Sequence, residues 1–444
     1  MAAAATINSL TDELLIAIFR RVPGYAPEVP ELRNRLGLEQ VCRRWRAVAA
    51  SPAAAPEYAE VAVHSLSSGA RFHAEAVKLL CWFAVHGARV RELNMALFGA
   101  QDAVCAAAHS MLALAPALRA ASIYLSAAAP AGAEWWRHLA PSLTRLDFGG
   151  RGAAIDGAHR RVRLPPKLER VAVGVDGLRR LPPCLADLAR LTFLAMTGAV
   201  EKAAAAGYWE VLPRLAALQD LDLNPYRPNG GMSLLPVVPP GVGALSGLTR
   251  LRLAAQNTGH ALGAPGALEP LARLPRLALL ELASGLVRQP SALARLTALT
   301  ELVLHVDELS LQNIGEQPLV EPGPHLARLR RLELVAERDD DTVPATIVDV
   351  RRRVVEPLRA ATALTALELR ERSRGDCGPP SFLLLTADRV EDLVADKPAL
   401  RAFRASKEML IQEEVFLRDA LAARHPRVDF EFDGGEDEGR RWFF

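Results

Sequence analysis

LPPCLADLARLTFLAM (residues 181–196) and VPPGVGALSGLTRLRL (residues 238–253) are two copies of one frame. Each ends in Leu-x-x-Leu-x-Leu, or its Leu/Met variant. Alternating apolar residues predict a short strand with one buried face. The upstream LAxLxxL segments predict a helix or helical turn that covers the same leucines. Clear copies of the core start at Leu143, Leu191, Leu218, Leu248, Leu277, Leu299, Leu329 and Leu364. Weaker ones start at Tyr58, Val90, Leu118, Leu168, Leu400 and His425. From Val90 to Leu329 the step is 22 to 30 residues, and it stretches to 35 and 36 on either side of Leu364. A single unit cannot bury its own leucine face, so the units must stack. Strands stacked in parallel at ~4.8 Å predict a concave sheet roughly 50–60 Å long.

The period and pattern resemble the leucine-rich-repeat family. The resemblance implies an α/β solenoid with a parallel concave sheet. The family's ninth position, usually Asn or Cys, is occupied here by Arg151, Tyr226, Gln256, Gly285, Asp307, Glu337 and Arg372. Without an Asn ladder the turns are expected to vary, giving an irregular horseshoe.

The N-terminal segment has a different period. Ser9-Leu10-Thr11-Asp12 has the form of a capping box, so a helix should start there. Leu14, Leu15, Ile18, Phe19 and Val22 form one apolar stripe along it, and Pro23-Gly24 ends it. A second helix starts near Leu38. Its apolar set is Leu38, Val41, Cys42, Trp45 and Val48, with Arg43, Arg44 and Arg46 opposite. Two short helices of ~40 residues in total are marginal alone. They need either the repeats or a partner protein to rest on.

This segment resembles the F-box family, which begins Leu-Pro-x-Glu-Leu-Leu-x-x-Ile-Phe and ends Val-Cys-x-x-Trp. Leu10, Glu13, Leu14, Leu15, Ile18, Phe19, Val41, Cys42 and Trp45 match. Two features depart from the pattern: Thr11 replaces the family's Pro, and the segment between the helices, Tyr25 to Gly37, is longer. The resemblance implies a small all-α module that binds the adaptor Skp1, and through it a cullin. Leu10, Thr11, Leu14, Leu15, Ile18, Phe19, Val41, Cys42 and Trp45 would form that contact. An ordinary helical hairpin capping the array would carry the same stripes. The resulting organisation is F-box over 7–52, repeat array over 53–432, and an acidic and aromatic tail over 433–444.

Positions between the strand leucines are expected on the concave side. They carry Asp220, Asp222 and Asn224; Arg250 and Arg252; Glu281; Glu301 and His305; Arg331 and Glu333; Glu368 and Arg370. A nucleic-acid groove needs one sign of charge with aromatics interleaved, and this strip has neither. Mixed sign fits a protein client, where complementarity sets partner and register; it equally fits a merely soluble surface. Asp220, Asp222, Arg250, Arg252, Glu281, Glu301, Arg331, Glu333, Glu368 and Arg370 are the candidate client contacts. Gly- and Pro-rich excursions at 224–241, 305–324 and 370–385 are loops of the kind that often bind partners. Drift in a repeat protein produces such loops as well.

Composition sets further bounds. The 53 basic residues, only five of them Lys, balance 51 acidic ones to leave +2, which argues against a polyanion binder. Five scattered Cys without Cys-x-x-Cys suit a reducing compartment and no zinc site. No signal peptide and no transmembrane run is read, so a cytoplasmic or nuclear protein is expected. No nucleophile elbow, P-loop, dinucleotide fingerprint or His-Glu-x-x-His motif occurs. The expectation is a non-catalytic adaptor without cofactors, whose client is a protein. The alternative is a repeat scaffold or regulator with no ligase role.

Overall fold

The computed structural model describes residues 58–64, 69–98, 101–125, 138–150, 163–175, 181, 183–199, 209–226, 238–253, 268–282, 293–307, 318, 320, 322–338, 356–373, 385–406 and 414–433. The N-terminal segment, with all nine residues expected to contact an adaptor, and the tail beyond Asp433 lie outside them.

The chain divides into two compact units, Met1–Leu194 and Ala195–Phe444. The first contains strands β1 (Tyr58–His64), β2 (Glu92–Phe98), β3 (Ala120–Leu125), β4 (Arg145–Gly150) and β5 (Arg170–Val175). Each pairs with the next in parallel. A further strand, β6 (Phe193–Ala199), spans the division. The second unit contains β7 (Asp220–Tyr226), β8 (Arg250–Leu253), β9 (Leu279–Leu282), β10 (Glu301–Asp307), β11 (Arg331–Arg338), β12 (Ala366–Ser373), β13 (Ala402–Ser406) and β14 (Asp429–Asp433). These too pair in parallel and in chain order. The α/β repeat read from the sequence is therefore present, and every start it identifies, strong or weak, leads into a strand.

Register explains why the pattern is so regular. In the second unit Leu221, Leu251, Leu280, Leu302, Leu332, Leu367, Phe403 and Phe430 stand side by side across the eight strands. Two residues on, Leu223, Leu253, Leu282, Leu304, Leu334, Leu369, Ala405 and Phe432 do the same. All of these are buried. The leucine that opens each copy, such as Leu218, Leu248, Leu277 and Leu299, is fully buried as well. The first unit uses the same columns with more varied residues. Leu93, Ala121, Leu146 and Val171 align, and so do Met95, Ile123, Phe148 and Val173.

The connecting segments differ along the chain. At the ends they are α-helices: α1 (Gly69–His86), α2 (Gln101–Ala113), α3 (Ala387–Ala395) and α4 (Glu414–Arg424). In between most tighten to 3₁₀ turns, at Pro183–Asp187, Leu212–Arg214, Pro240–Ala244, Glu269–Arg273 and Pro324–Arg328, with one α-helical turn at Glu356–Leu358. Three to five residues leave no room for α-helical bonding beyond one turn. Pro213, Pro240, Pro270 and Pro324 fall in the first two positions of four of these turns, where the N–H a proline lacks would have no intrahelical partner and its fixed φ suits the start of a turn.

The turns are tied together by threonine hydroxyls rather than by an asparagine ladder. Thr249 and Arg250 both donate their backbone N–H to Gln219 O, at 2.8 and 3.0 Å. The Thr249 hydroxyl donates to that same carbonyl at 3.0 Å. Thr300 repeats this on Ala278 O, Thr365 on Arg330 O, Thr144 on Arg119 O and Thr192 on Glu169 O. Each is the second residue of a Leu-Thr copy. The hydroxyl closes the gap between one strand start and the next.

All three long excursions begin later than the sequence pattern implies, the first because β7 continues to Tyr226. β10 continues to Asp307 and β12 to Ser373, and β11 and β12 pair over eight residues, against four for β8 and β9.

The leucine columns should dominate stability. Leu280→Ala empties a position packed between two strands on each side and should cost about 2–5 kcal/mol in denaturant unfolding. Thr249→Val keeps the shape and loses one half-exposed hydrogen bond, so about 0.5–1 kcal/mol is expected. If Thr249→Val were as damaging as Leu280→Ala, the hydroxyl ladder and not leucine stacking would hold the array together.

Candidate functional site

The residues opposite the leucine columns form the open face of the sheet. In the second unit they line up as strictly as the leucines do. One row is Asp220, Arg250, Leu279, Glu301, Arg331, Ala366, Ala402 and Asp429. The next row is Asp222, Arg252, Glu281, Val303, Glu333, Glu368, Arg404 and Glu431. Beyond it His305, Val335 and Arg370 align. All ten candidate client residues therefore share this face.

They pair with one another. Arg250 reaches Asp220 at 3.6 Å, and Arg252 bridges Asp222 at 3.8 Å and Glu281 at 3.3 Å. His305 Nε2 meets Glu281 Oε1 at 2.9 Å, and both side chains are buried. Further along, Glu333 and Glu368 stand directly opposite each other on β11 and β12. Like charges at that distance repel, and two arginines on flanking rows relieve them. Arg331 contacts Glu333 at 3.0 Å and Glu368 at 3.1 Å. Arg370 contacts Glu368 at 2.8 Å and Glu333 at 3.4 Å. Arg331 Nε makes its contact with Glu368 at an angle outside hydrogen-bond geometry. Arg404 extends the lattice to Glu368 at 3.9 Å and to Glu431 at 2.7 Å.

Arg404, Asp429 and Glu431 are absent from the sequence-derived set. The signal for them exists, because carrying the alternation through Leu400 and His425 puts all three on this face. The sequence supplies the charges and their rows. It does not show that the arginines are turned inward onto their neighbours.

Burial decides how these groups titrate. Asp222 is pushed up to about 6, chiefly by burial; Arg252 opposes the shift, while Glu281 and Asp220 add to it. Glu333 also rises, again chiefly through burial, with Arg370 opposing and Glu368 reinforcing. Arg331 holds its proton more tightly than usual because Glu368 and Glu333 outweigh its own burial. The Oδ1 atoms of Asp220 and Asp222 are buried without a hydrogen-bond partner. Packing has taken water from these carboxylates without fully replacing it.

The first unit's open face is built differently. Ala96, Tyr124, Gly149 and Gly174 align across β2 to β5. Tyr124 is 41% exposed, stacks on Phe98 at 5.4 Å, and covers Gly149, where a Cβ would lie 3.0 Å from its ring. Arg145 pairs with Asp147 at 2.6 Å, and the Arg170 guanidinium lies 3.9 Å above the Phe193 ring. The charge lattice is a property of the second unit.

The Cys184 thiol is pushed up to about 11 by burial, far from a reactive thiolate. Among the described residues no group of three His, Cys, Asp or Glu could hold a metal ion, and no helix is long and apolar enough to cross a membrane. No protein-family model matches the chain, and no curated protein does.

Asp222 binds its proton more tightly folded than unfolded. Its contribution to stability is therefore greatest below the ordinary carboxylate range and is lost as pH rises through about 6. Asp222→Asn does not titrate. Its stability relative to the parent chain should grow between about pH 4 and pH 6.5 and then level off, by about 1–3 kcal/mol. A constant difference across that window, in thermal unfolding at matched ionic strength, would show that Asp222 is not desolvated.

Proposed function

We propose that this chain is the client-holding adaptor of a Skp1–cullin–F-box ubiquitin ligase, with its repeat array of the leucine-rich-repeat class. The N-terminal module docks on Skp1 through Leu10, Thr11, Leu14, Leu15, Ile18, Phe19, Val41, Cys42 and Trp45. The repeats present the second unit's open face to a protein client. The chain is non-catalytic in this reading and contributes proximity, bringing client amines to an enzyme carried by another subunit.

The observation that carries the reading is the division of labour within each repeat. One side of every strand in the second unit is committed to apolar stacking, by leucine on β7 to β12 and by Phe403, Ala405, Phe430 and Phe432 on the last two. The other carries a fixed lattice of charge, rigid enough to specify a partner. Combined with the two-ended motif match at residues 10–45, this fits an adaptor better than an enzyme.

Co-purification tests it. The intact chain should recover Skp1, and residues 10–49 alone should suffice. Trp45→Ala should abolish recovery, since losing an aromatic of that size would cost about 3–5 kcal/mol if it packs in a core with Skp1. Reversing Arg250 and Arg252 to Glu should leave Skp1 recovery unchanged. Failure of the intact chain to bind Skp1 would leave a repeat scaffold without a ligase role.

A further inference from the structure

Among the described side chains on the open face of the second unit, the arginines are all taken. Arg250, Arg252, Arg331, Arg370 and Arg404 each contact at least one carboxylate of the same lattice. The carboxylates are not all taken. Glu301 and Asp429 have no ion-pair partner among the described residues, though Arg331 feels the charge of Glu301 from beyond contact distance. Asp220 meets its arginine only loosely, at 3.6 Å, and keeps a buried oxygen without a hydrogen-bond partner. The unmet ion-pairing capacity among these residues is therefore for cations; the one unsatisfied donor, Arg331 Nε, already lies 3.1 Å from Glu368.

Its placement is linear. Asp220, Glu301 and Asp429 lie in one row across the strands, on β7, β10 and β14. Glu301 is half-buried and Asp429 is exposed. Neighbouring strands are ~4.8 Å apart, so the gaps are about 14 and 19 Å. An extended chain advances ~3.4 Å per residue, which matches those gaps with roughly four and six residues.

We propose that this row docks an extended protein segment bearing Lys or Arg, which crosses the strands and places its cations on Asp220, Glu301 and Asp429. The segment adds charge where the lattice lacks it and leaves the internal pairs in place. An acidic segment would have to break Arg–carboxylate pairs to bind. The identity of the client class rests on the adaptor reading; the surface itself does not require the N-terminal module to bind Skp1.

Fluorescence polarisation on the full chain tests the proposal. The probe is a Gly/Ser peptide carrying three Lys spaced roughly four and six residues apart, beside the same peptide with Glu. The Lys peptide should bind, and should weaken as salt rises from about 50 to about 300 mM. The Glu peptide should not bind. Glu301→Gln with Asp429→Asn breaks no ion pair of the lattice and should weaken binding about tenfold. Glu356→Gln with Asp388→Asn, exposed and away from the sheet face, should change it less than twofold. In the unaltered chain, carbodiimide coupling should join peptide lysines to Glu301 and Asp429. Equal binding of the Glu peptide, equal loss in both double variants, or coupling confined to other carboxylates would overturn the proposal. Loss of Skp1 recovery with peptide binding intact would instead overturn the ligase reading alone.

Discussion

Leucine stacking between parallel strands is the constraint on which the rest depends. Each strand places two apolar residues on one side, leucine in most of the second unit, and each lies beside its equivalents at ~4.8 Å. A slip of one residue would turn the leucines outward and the arginines inward, so the register is strongly fixed. The same register sets the open face. Once Leu221, Leu251 and Leu280 align, Asp222, Arg252 and Glu281 must align too, with their charges within reach of one another. The charge lattice is thus a consequence of the hydrophobic columns.

The lattice carries its own tension. Glu333 faces Glu368, and the pair is tolerable because Arg331 and Arg370 approach it from both flanking rows. Glu281 is buried and is held by Arg252 and His305. Removing one arginine from such a cluster leaves a desolvated carboxylate behind, which costs more than the contact itself gains. A face built this way keeps its shape. That suits it to choosing a partner by complementarity more than by adapting to one.

The fold was legible where its cause is periodic. The Leu-x-x-Leu-x-Leu copies locate strands throughout the array, including weak ones such as LRAASI at β3 and HPRVDF at β14. The same alternation places all ten candidate client residues on one face. Three things were not legible. The hydroxyl ladder depends on where each threonine side chain points, although the recurring Leu-Thr marks its positions. The 3₁₀ character of the turns does not follow from connector length, since the 21 residues between β2 and β3 hold an α-helix and the 23 between β7 and β8 hold a 3₁₀ turn. The inward pairing of the arginines depends on distances across strands that are 22 to 36 residues apart in sequence. The leucine pattern says nothing of the N-terminal module, where the reading rests on the spacing of Leu14, Ile18, Phe19, Val41 and Trp45 alone.

Two separate surfaces on one chain is the central claim, and hydrogen exchange with and without Skp1 tests it most directly. Saturating Skp1 should slow exchange in peptides covering residues 10–49 and leave β7 to β14 unchanged. No protection in 10–49, or protection confined to the strands of the second unit, would contradict the account.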